Sequence, residues 1–334
     1  MAHDIAQIGG KPAMMYADNH PPWHNLGTKL DGPATSAEAI QAAGLDWHVE
    51  KVPLFVRTKN EYETLIGRYA TVRRGAGPKG ESPALGIVGR GYVPLQNIKA
   101  FEWFDEIVGE KAAIYHTAGA LGQGERVWLL AKLPEPIRVV GNDVADKYLL
   151  LSNSHDGSSS VQVKFTPIRV VCQNTLTMAL SDGEGIRVHH TSSMQGRLKL
   201  AQVNLGIIQR RFEVIEEGFK GMQRTTMNAE RLTKYVSAVF PEPKNENDDN
   251  GVARIREARE GAMSLFECGR GNSMAGTKGT LWAAYNGVTE LVDFRLGPRT
   301  SADRRLESAW FGSGYSTKAR AYKIGLDYAK AWRN

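Results

Sequence analysis

Eight apolar residues, Leu198, Ala201, Leu205, Ile208, Phe212, Ile215, Phe219 and Met222, follow one another at steps of 3, 4, 3, 4, 3, 4 and 3. This is one helical stripe sustained for more than three heptads, and it predicts a long helix over 198–222. Gly206, Gly218 and Gly221 interrupt it, each costing up to about 1 kcal/mol relative to Ala. A helix so weakened needs tertiary packing to persist. The seam therefore predicts a surface to lie against, in the first place within the same chain.

The residues before the seam have another rhythm. LQNIKAFEWFDEIV (95–108) sets Leu95, Ile98, Phe101, Phe104 and Ile107/Val108 at near-helical spacing. AAIYHTAGA and ERVWLLAKL flank LGQG and read as a hairpin. KYLLLSNS and SSVQVKFTP read as two further strands, joined by a polar loop at His155, Asp156 and Gly157. Pro167 suits the first turn of a short helix through IRVVCQNTLTMAL, and GIRVHH reads as a last strand. After the seam, PEPKNENDDN (241–250) has no apolar residue and reads as an acidic linker or loop. VARIREAREGAMSLFE, GTLWAAYNGVTELVDF and TKARAYKIGLDYAKAW then carry helical patterns.

The predicted fold is α+β: an antiparallel sheet packed on long helices, with a mainly helical C-terminal region. The predicted organisation is a turn-rich mixed region at 1–92, a central core with the long helix at 93–240, the acidic segment at 241–250, and a helical region at 251–334.

Lys plus Arg is 42 against 36 Asp plus Glu, a formal charge of +6. The excess is concentrated: residues 161–240 hold eleven bases and six acids, and residues 294–334 hold nine bases and three acids. Both stretches interleave aromatics, Phe165 and Phe212 in the first and Trp310, Phe311, Tyr315, Tyr322, Tyr328 and Trp332 in the second. Bases attract phosphates, and exposed aromatic faces stack on the bases of a single strand. Lys164, Arg169 and Arg187, in or beside the predicted strands, are the first candidates for DNA contact. Arg197, Lys199, Arg210 and Arg211 on the predicted long helix come next. Neither a membrane-spanning run nor a secretory leader is legible, and two cysteines cannot build a disulfide framework, so a cytoplasmic setting is expected.

Catalytic signatures are sparse. GNSMAGTKGT (271–280) approaches a phosphate loop, but Thr277 stands where Lys is required and Lys278 is displaced by one. Ser154, His155 and Asp156 are consecutive, so their side chains alternate in direction and cannot form a relay. Their plain reading is a polar turn. His189 and His190 are adjacent, with no metal-ligand spacing around them. Cys172 sits among apolar residues and reads as a small buried hydrophobe. No metal and no cofactor are expected.

HPPWHNLGTKL, VGRGYVPLQN, GERVWLLAKLP, LLLSNSHDGSSSVQVKFTPIRVVCQNTL, GTLWAAYNGVTELVDF and RLESAWFGSGYSTKARA together resemble the phage- and plasmid-borne family known as phage/plasmid-like protein, built on a domain of unknown function. The resemblance runs over residues 15–333 and implies a mobile-element setting, with no catalytic residues to carry over. The strand order is similar, at fold level, to that of single-strand annealing proteins, in which a curved sheet backed by a long helix holds DNA in rings or filaments. The expected function is non-catalytic binding of single-stranded DNA, with strand annealing, in phage or plasmid recombination or replication. The expected partners are single-stranded DNA and further copies of the chain in a ring or filament, without a membrane. One alternative is a protein-interaction factor serving counter-defence or replication. A second is an enzyme acting on nucleic acid or nucleotide, centred on His155, Asp156 and the Ser158–Ser160 loop.

Overall fold

The structure is a computed structural model. It describes residues 5–17, 26–32, 34–59, 61–75, 82–108, 114–169, 174–175, 186–202, 205–243, 245, 248–296 and 305–332, with the side chains of 169, 174–175, 200–202, 205–209 and 305–306 left aside. The strands β1 (Gln7–Ile8), β2 (Lys11–Pro12), β3 (Met14–Tyr16) and β4 (Thr28–Lys29) come first. The helix α1 (Ser36–Ala42) and the strands β5 (His48–Arg57), β6 (Tyr62–Arg74) and β7 (Ala84–Gly89) follow. Next are α2 (Asn97–Val108), β8 (Ile114–Leu121), β9 (Arg126–Lys132), β10 (Ile137–Val140), β11 (Asp143–Asp146), β12 (Tyr148–Ser154), β13 (Val161–Phe165), β14 (Ile168–Arg169), β15 (Asn174–Thr175) and β16 (Ile186–Val188). The rest is helical: α3 (Met194–Gln202), α4 (Leu205–Gln223), α5 (Ala229–Val239), α6 (Asp249–Cys268), α7 (Leu281–Glu290), a π-helical turn Leu291–Arg295, α8 (Arg305–Trp310) and α9 (Ser313–Ala331). The protein is α+β.

The chain divides into two compact units that do not follow sequence order. Unit 1 is Met1–Pro134, Leu149–Lys164 and Gly183–Leu205, and unit 2 is Glu135–Tyr148, Phe165–Asp182 and Gly206–Asn334. Unit 1 carries a seven-stranded sheet in the order β16-β13-β12-β9-β8-β3-β4 and a three-stranded sheet β5-β6-β7. The expected hairpin around LGQG is β8–β9, closing at Leu121↔Arg126, with Gly122 and Gly124 at positive φ. Strands β9 and β12 are buried along almost their whole length, Trp128 and Leu149 completely. Within unit 1, α1, α2 and α3 are the helices that touch this sheet. On α2 the buried face runs through Ala100, Phe101, Trp103 and Phe104, while Ile98 is exposed.

Unit 2 holds the four-stranded sheet β10-β11-β14-β15 and the longer helices. Its centre is α7, buried on every side because nine of its ten residues carry no charge. Phe219 of α4 meets Trp282 of α7 at 4.7 Å and Tyr322 of α9 at 5.8 Å between ring centroids. Two glycines let α4 and α9 close up: a Cβ on Gly218 would lie 2.7 Å from Tyr322 Oη, and one on Gly325 would lie 2.7 Å from Met222 Sδ. The acidic segment before α6 is a loop within this unit, where Arg259 of α6 donates to the Phe240 carbonyl and to Glu242.

Two expectations change. The helix predicted from Pro167 is a strand pair: Ile168↔Thr175 and Arg169↔Asn174 join β14 to β15, and Ala145↔Arg169 joins β14 to β11. Residues 170–173 and 176–185, Cys172 among them, lie outside the described residues. The seam is two helices, with Leu198 buried on α3 in unit 1 and Phe212, Ile215, Phe219 and Met222 buried on α4 in unit 2. Ala201, Leu205 and Ile208 have side chains outside the description. Four of the eight aromatics interleaved with the bases, Phe165, Phe212, Trp310 and Tyr322, are buried in the core, and the other four are partly covered.

The near phosphate loop is a capped entry to α7. Thr277, in place of the Lys such a loop requires, donates its hydroxyl to the buried Asp143 at 2.8 Å, beside Trp282 Nε1 at 2.9 Å. Thr280 caps the helix by accepting from Ala283 N–H.

Candidate functional site

Strand β12 ends in unit 1 at the loop 155–160, and this loop is clamped from several elements. His155 N–H donates to the Glu125 carbonyl at 2.7 Å, and Thr71 Oγ1 of β6 donates to the His155 carbonyl at 2.7 Å. Gly86 of β7 is required for the approach, since a Cβ there would lie 2.6 Å from Asp156 Cα. Gly157 turns the chain at φ +78°, which favours glycine. The Asp156 carboxylate accepts from Ser158 N–H at 2.8 Å and from the Ser154 hydroxyl, the side-chain turn chemistry expected of Asp-Gly. Burial works to raise its pKa, but the Ser154 and Ser158 hydrogen bonds and the Arg126 charge outweigh burial and hold it below the usual carboxylate range.

His155 is more than part of a polar turn: it is fully buried. Its ring meets Trp47 edge-on at 5.3 Å, and its Nε2 lies 2.9 Å from Asn97 Oδ1. Asn97 Nδ2 donates to the Leu45 carbonyl at 2.9 Å, so Oδ1 is the acceptor and Nε2 carries the proton. Burial, reinforced by His190 and opposed by Asp156, pushes the His155 pKa down to about 3. Tyr92 donates to the Ser154 carbonyl at 2.8 Å and stacks on His190 at 4.7 Å, and burial with the Asp156 charge raises its phenol. Ser154 is fully buried and its hydroxyl turns to Asp156 and Ser158, away from the imidazole. The geometry supplies no His–Ser relay.

The rim of this loop is basic. Arg126 on β9 reaches Ser158 Oγ at 3.2 Å. Lys164 on β13 and Arg187 on β16 share a sheet face, because Gln162 pairs with Arg187 and, two residues from Lys164, points the same way as it does. Lys164 is only 9% exposed. Burial, then Arg126 and Arg187, push its pKa down to about 8. Arg126 and Arg187 thus each lie close enough to repel Lys164, on strands that span four positions of the sheet, on the order of 15 Å. Such a row suits phosphates or another polyanion.

Of the seven predicted residues, the structure therefore joins Lys164 and Arg187. Arg197 and Lys199 are exposed on α3 of the same unit. Arg169 is on β14 of unit 2, its side chain outside the description, and Arg210 and Arg211 are on α4, the first exposed and the second half-buried. Arg126 escaped the sequence reading because its segment, ERVWLLAKL, lies outside the two stretches where the basic excess is concentrated; only its position at the start of a strand beside the loop marks it. Unit 2 holds an open cavity of about 1090 Å³, lined by Asp248, Arg254, Glu257, Arg295, Ser308 and Thr317 among others, of mixed charge and without any predicted site residue. Among the described residues, no group of three or more His, Cys, Asp or Glu is placed to hold a metal ion, and no helix is long and apolar enough to cross a membrane.

A family model described as Domain of unknown function (DUF932) matches residues 84–310. No curated protein and no solved structure matches the chain significantly.

Proposed function

The chain belongs to the DUF932 family, a domain of unknown function, and we propose that this member binds single-stranded DNA without altering it chemically, through the basic rim of unit 1. The convergence of Arg126, Lys164 and Arg187 carries the reading. Phosphate neutralisation is sequence-independent and leaves bases accessible, which is what annealing of complementary strands in a phage or plasmid requires. The core places of Phe165, Phe212, Trp310 and Tyr322 make the reading one of charge rather than of stacking on those rings. Arg197 and Lys199, exposed on α3 of the same unit, are further cations available to this reading.

Lys164 makes the reading specific. A lysine with a pKa of about 8 is partly deprotonated just above neutrality, and a phosphate beside it restores the ammonium. DNA binding near pH 8 is therefore coupled to proton uptake, visible as a buffer-dependent heat in calorimetry. In parallel, single- and double-stranded DNA are titrated at two salt concentrations. Arg126→Ala with Arg187→Ala is expected to weaken single-strand binding and flatten the slope of log K against log salt by about 1.4, at roughly 0.7 per phosphate contact. Absence of single-strand affinity in the wild type, or an unaltered slope in the folded variant, overturns the reading in favour of a protein-interaction factor.

A further inference from the structure

Beneath the loop 155–160, unit 1 buries four polar side chains that the chain pairs at one end only. Trp47, Asn153, His155 and His190 are at most 6% exposed. His155 Nε2 donates to Asn97 Oδ1 at 2.9 Å, Asn153 Nδ2 to the Leu95 carbonyl at 2.9 Å, and His190 Nδ1 to the Val93 carbonyl at 3.2 Å. The other atoms, His155 Nδ1, Asn153 Oδ1, His190 Nε2 and Trp47 Nε1, are buried and find no hydrogen-bond partner among the described residues. Native interiors leave few polar atoms so, because each forfeits its hydration without return.

The four belong to one neighbourhood. The Trp47 and His155 rings meet edge-on at 5.3 Å between centroids, yet their nitrogens make no direct hydrogen bond. Asn153 Nδ2 lies 3.5 Å from His155 Nε2. His190 stacks on Tyr92, whose hydroxyl donates to the carbonyl of Ser154, the residue between Asn153 and His155. Val93 and Leu95, which hold His190 and Asn153, are two residues apart, a span of at most about 7 Å.

The hydrogen-bond inventory decides the ligand. Carbonyls only accept, so the His190 proton is on Nδ1 and Nε2 presents a lone pair; with Nε2–H of His155 on Asn97, its Nδ1 does the same. Burial keeps both rings from taking a second proton. The cluster thus offers three acceptors, two imidazole nitrogens and an amide oxygen, and one donor, the indole N–H. A metal ion or an ammonium suits the acceptors and is repelled by the donor. Water gives two hydrogens and accepts in return, and a buried water takes two to four polar partners. We propose that unit 1 holds ordered water here: one molecule accepting from Trp47 Nε1–H and donating to His155 Nδ1, a second donating to His190 Nε2, and Asn153 Oδ1 accepting from one of the two. This water anchors the ring of His155, whose main chain Glu125 and Thr71 already clamp, and so helps to seat the loop that Arg126 reaches at Ser158. The inference is independent of DNA binding, since every side chain that meets the water is buried.

The test is a crystal structure that resolves ordered water, paired with NMR of the full chain. The expected density is a water within about 2.7–3.2 Å of both Trp47 Nε1 and His155 Nδ1, and another against His190 Nε2. In solution, magnetisation should pass from water to the Trp47 indole proton, a resonance identified by its loss in Trp47→Phe. One equivalent of zinc chloride should leave that resonance and the ring signals of His155 and His190 in place. A dry site, a direct Trp47–His155 hydrogen bond, or no transfer to the indole proton overturns the proposal. So does density at about 2.0–2.1 Å from the imidazole nitrogens, or a zinc-induced shift of those signals, either of which would make the cluster a metal site. The wild-type measurements need no variant to fold.

Discussion

At Lys164 the fold works against a charge that the proposed function uses. Burial and two cationic neighbours bring its pKa from the ordinary 10.5 to about 8. Below pH 8 both the folded and the unfolded chain hold this proton, and the folded state carries the full penalty of about 3 kcal/mol, at about 1.4 kcal/mol per unit. Between about pH 8 and 10.5 the unfolded chain alone stays protonated, so the penalty is relieved as pH rises. Lys164→Met keeps the stem and removes the charge; it is expected to raise stability at pH 7 by about 1–3 kcal/mol in urea melts while weakening DNA binding. A loss of stability would mean that contacts to the ammonium outweigh its desolvation. His155 has the same sign with a different window. Its folded pKa of about 3 lies below the 6.5 of a free imidazole, so its contribution is complete above pH 6.5 and lost progressively down to about pH 3. Stability should fall by about 1.4 kcal/mol per pH unit in that window from this group alone, with His190, also lowered by burial, adding to it. In His155→Gln, thermal melts across pH 4–7 should show a shallower dependence; an unchanged slope would place the effect elsewhere. The Asp156-Gly157 turn was legible because it is local. The burial of His155 was not, since Asn97 lies 58 residues away and Thr71 84 residues away.

Local rules also read the elements well where the elements make their own case. LGQG announces β8–β9, and the alternation of SSVQVKF announces β13. They fail at Pro167, where the helix-compatible proline is overruled by pairing with β11, a strand some 23 residues earlier. The seam shows both sides. Its period places Phe212, Ile215, Phe219 and Met222 on one buried face of α4, but the period alone cannot reveal that Leu198 belongs to a separate helix. Gly218, a weakness in an isolated helix, is where Tyr322 approaches. Phe219 lies at the centre of this packing, fully buried between Trp282, Tyr285 and Tyr322. Phe219→Ala should cost about 3–5 kcal/mol, measured by chemical denaturation, whereas Lys199→Ala on exposed α3 should change stability by about 0.5 kcal/mol or less. Equal effects at the two positions would contradict the core place of Phe219 and the solvent-facing place of Lys199.

For the whole molecule, the decisive fact is that the chain passes repeatedly between its two units. Unit 2 is not a run of consecutive helices, and it does not begin at the acidic segment 241–250 where the sequence alone divides the chain, because its core depends on strands from before the seam. Asp143 of β11 is fully buried and accepts from Thr277 and Trp282, at the entry to α7. A fragment of residues 206–334 keeps the six α-helices of unit 2 found among the described residues but lacks β10, β11, β14 and β15, and leaves the donors of Thr277 and Trp282 without that carboxylate. An unsatisfied buried donor costs about 1–3 kcal/mol, and the apolar surface that the missing strands covered becomes wet. The fragment is therefore expected to show helical far-ultraviolet dichroism, a flattened near-ultraviolet tryptophan signal, and no cooperative melt, the signs of lost packing with retained helix. A fragment of residues 135–334 restores the strands and should melt cooperatively. If 206–334 melts as sharply and at the same temperature as 135–334, the small sheet is an ornament on a self-sufficient helical bundle, and the interleaving of the units has no energetic content. If it does not, the order of elements along the chain is itself part of what holds α7 in place.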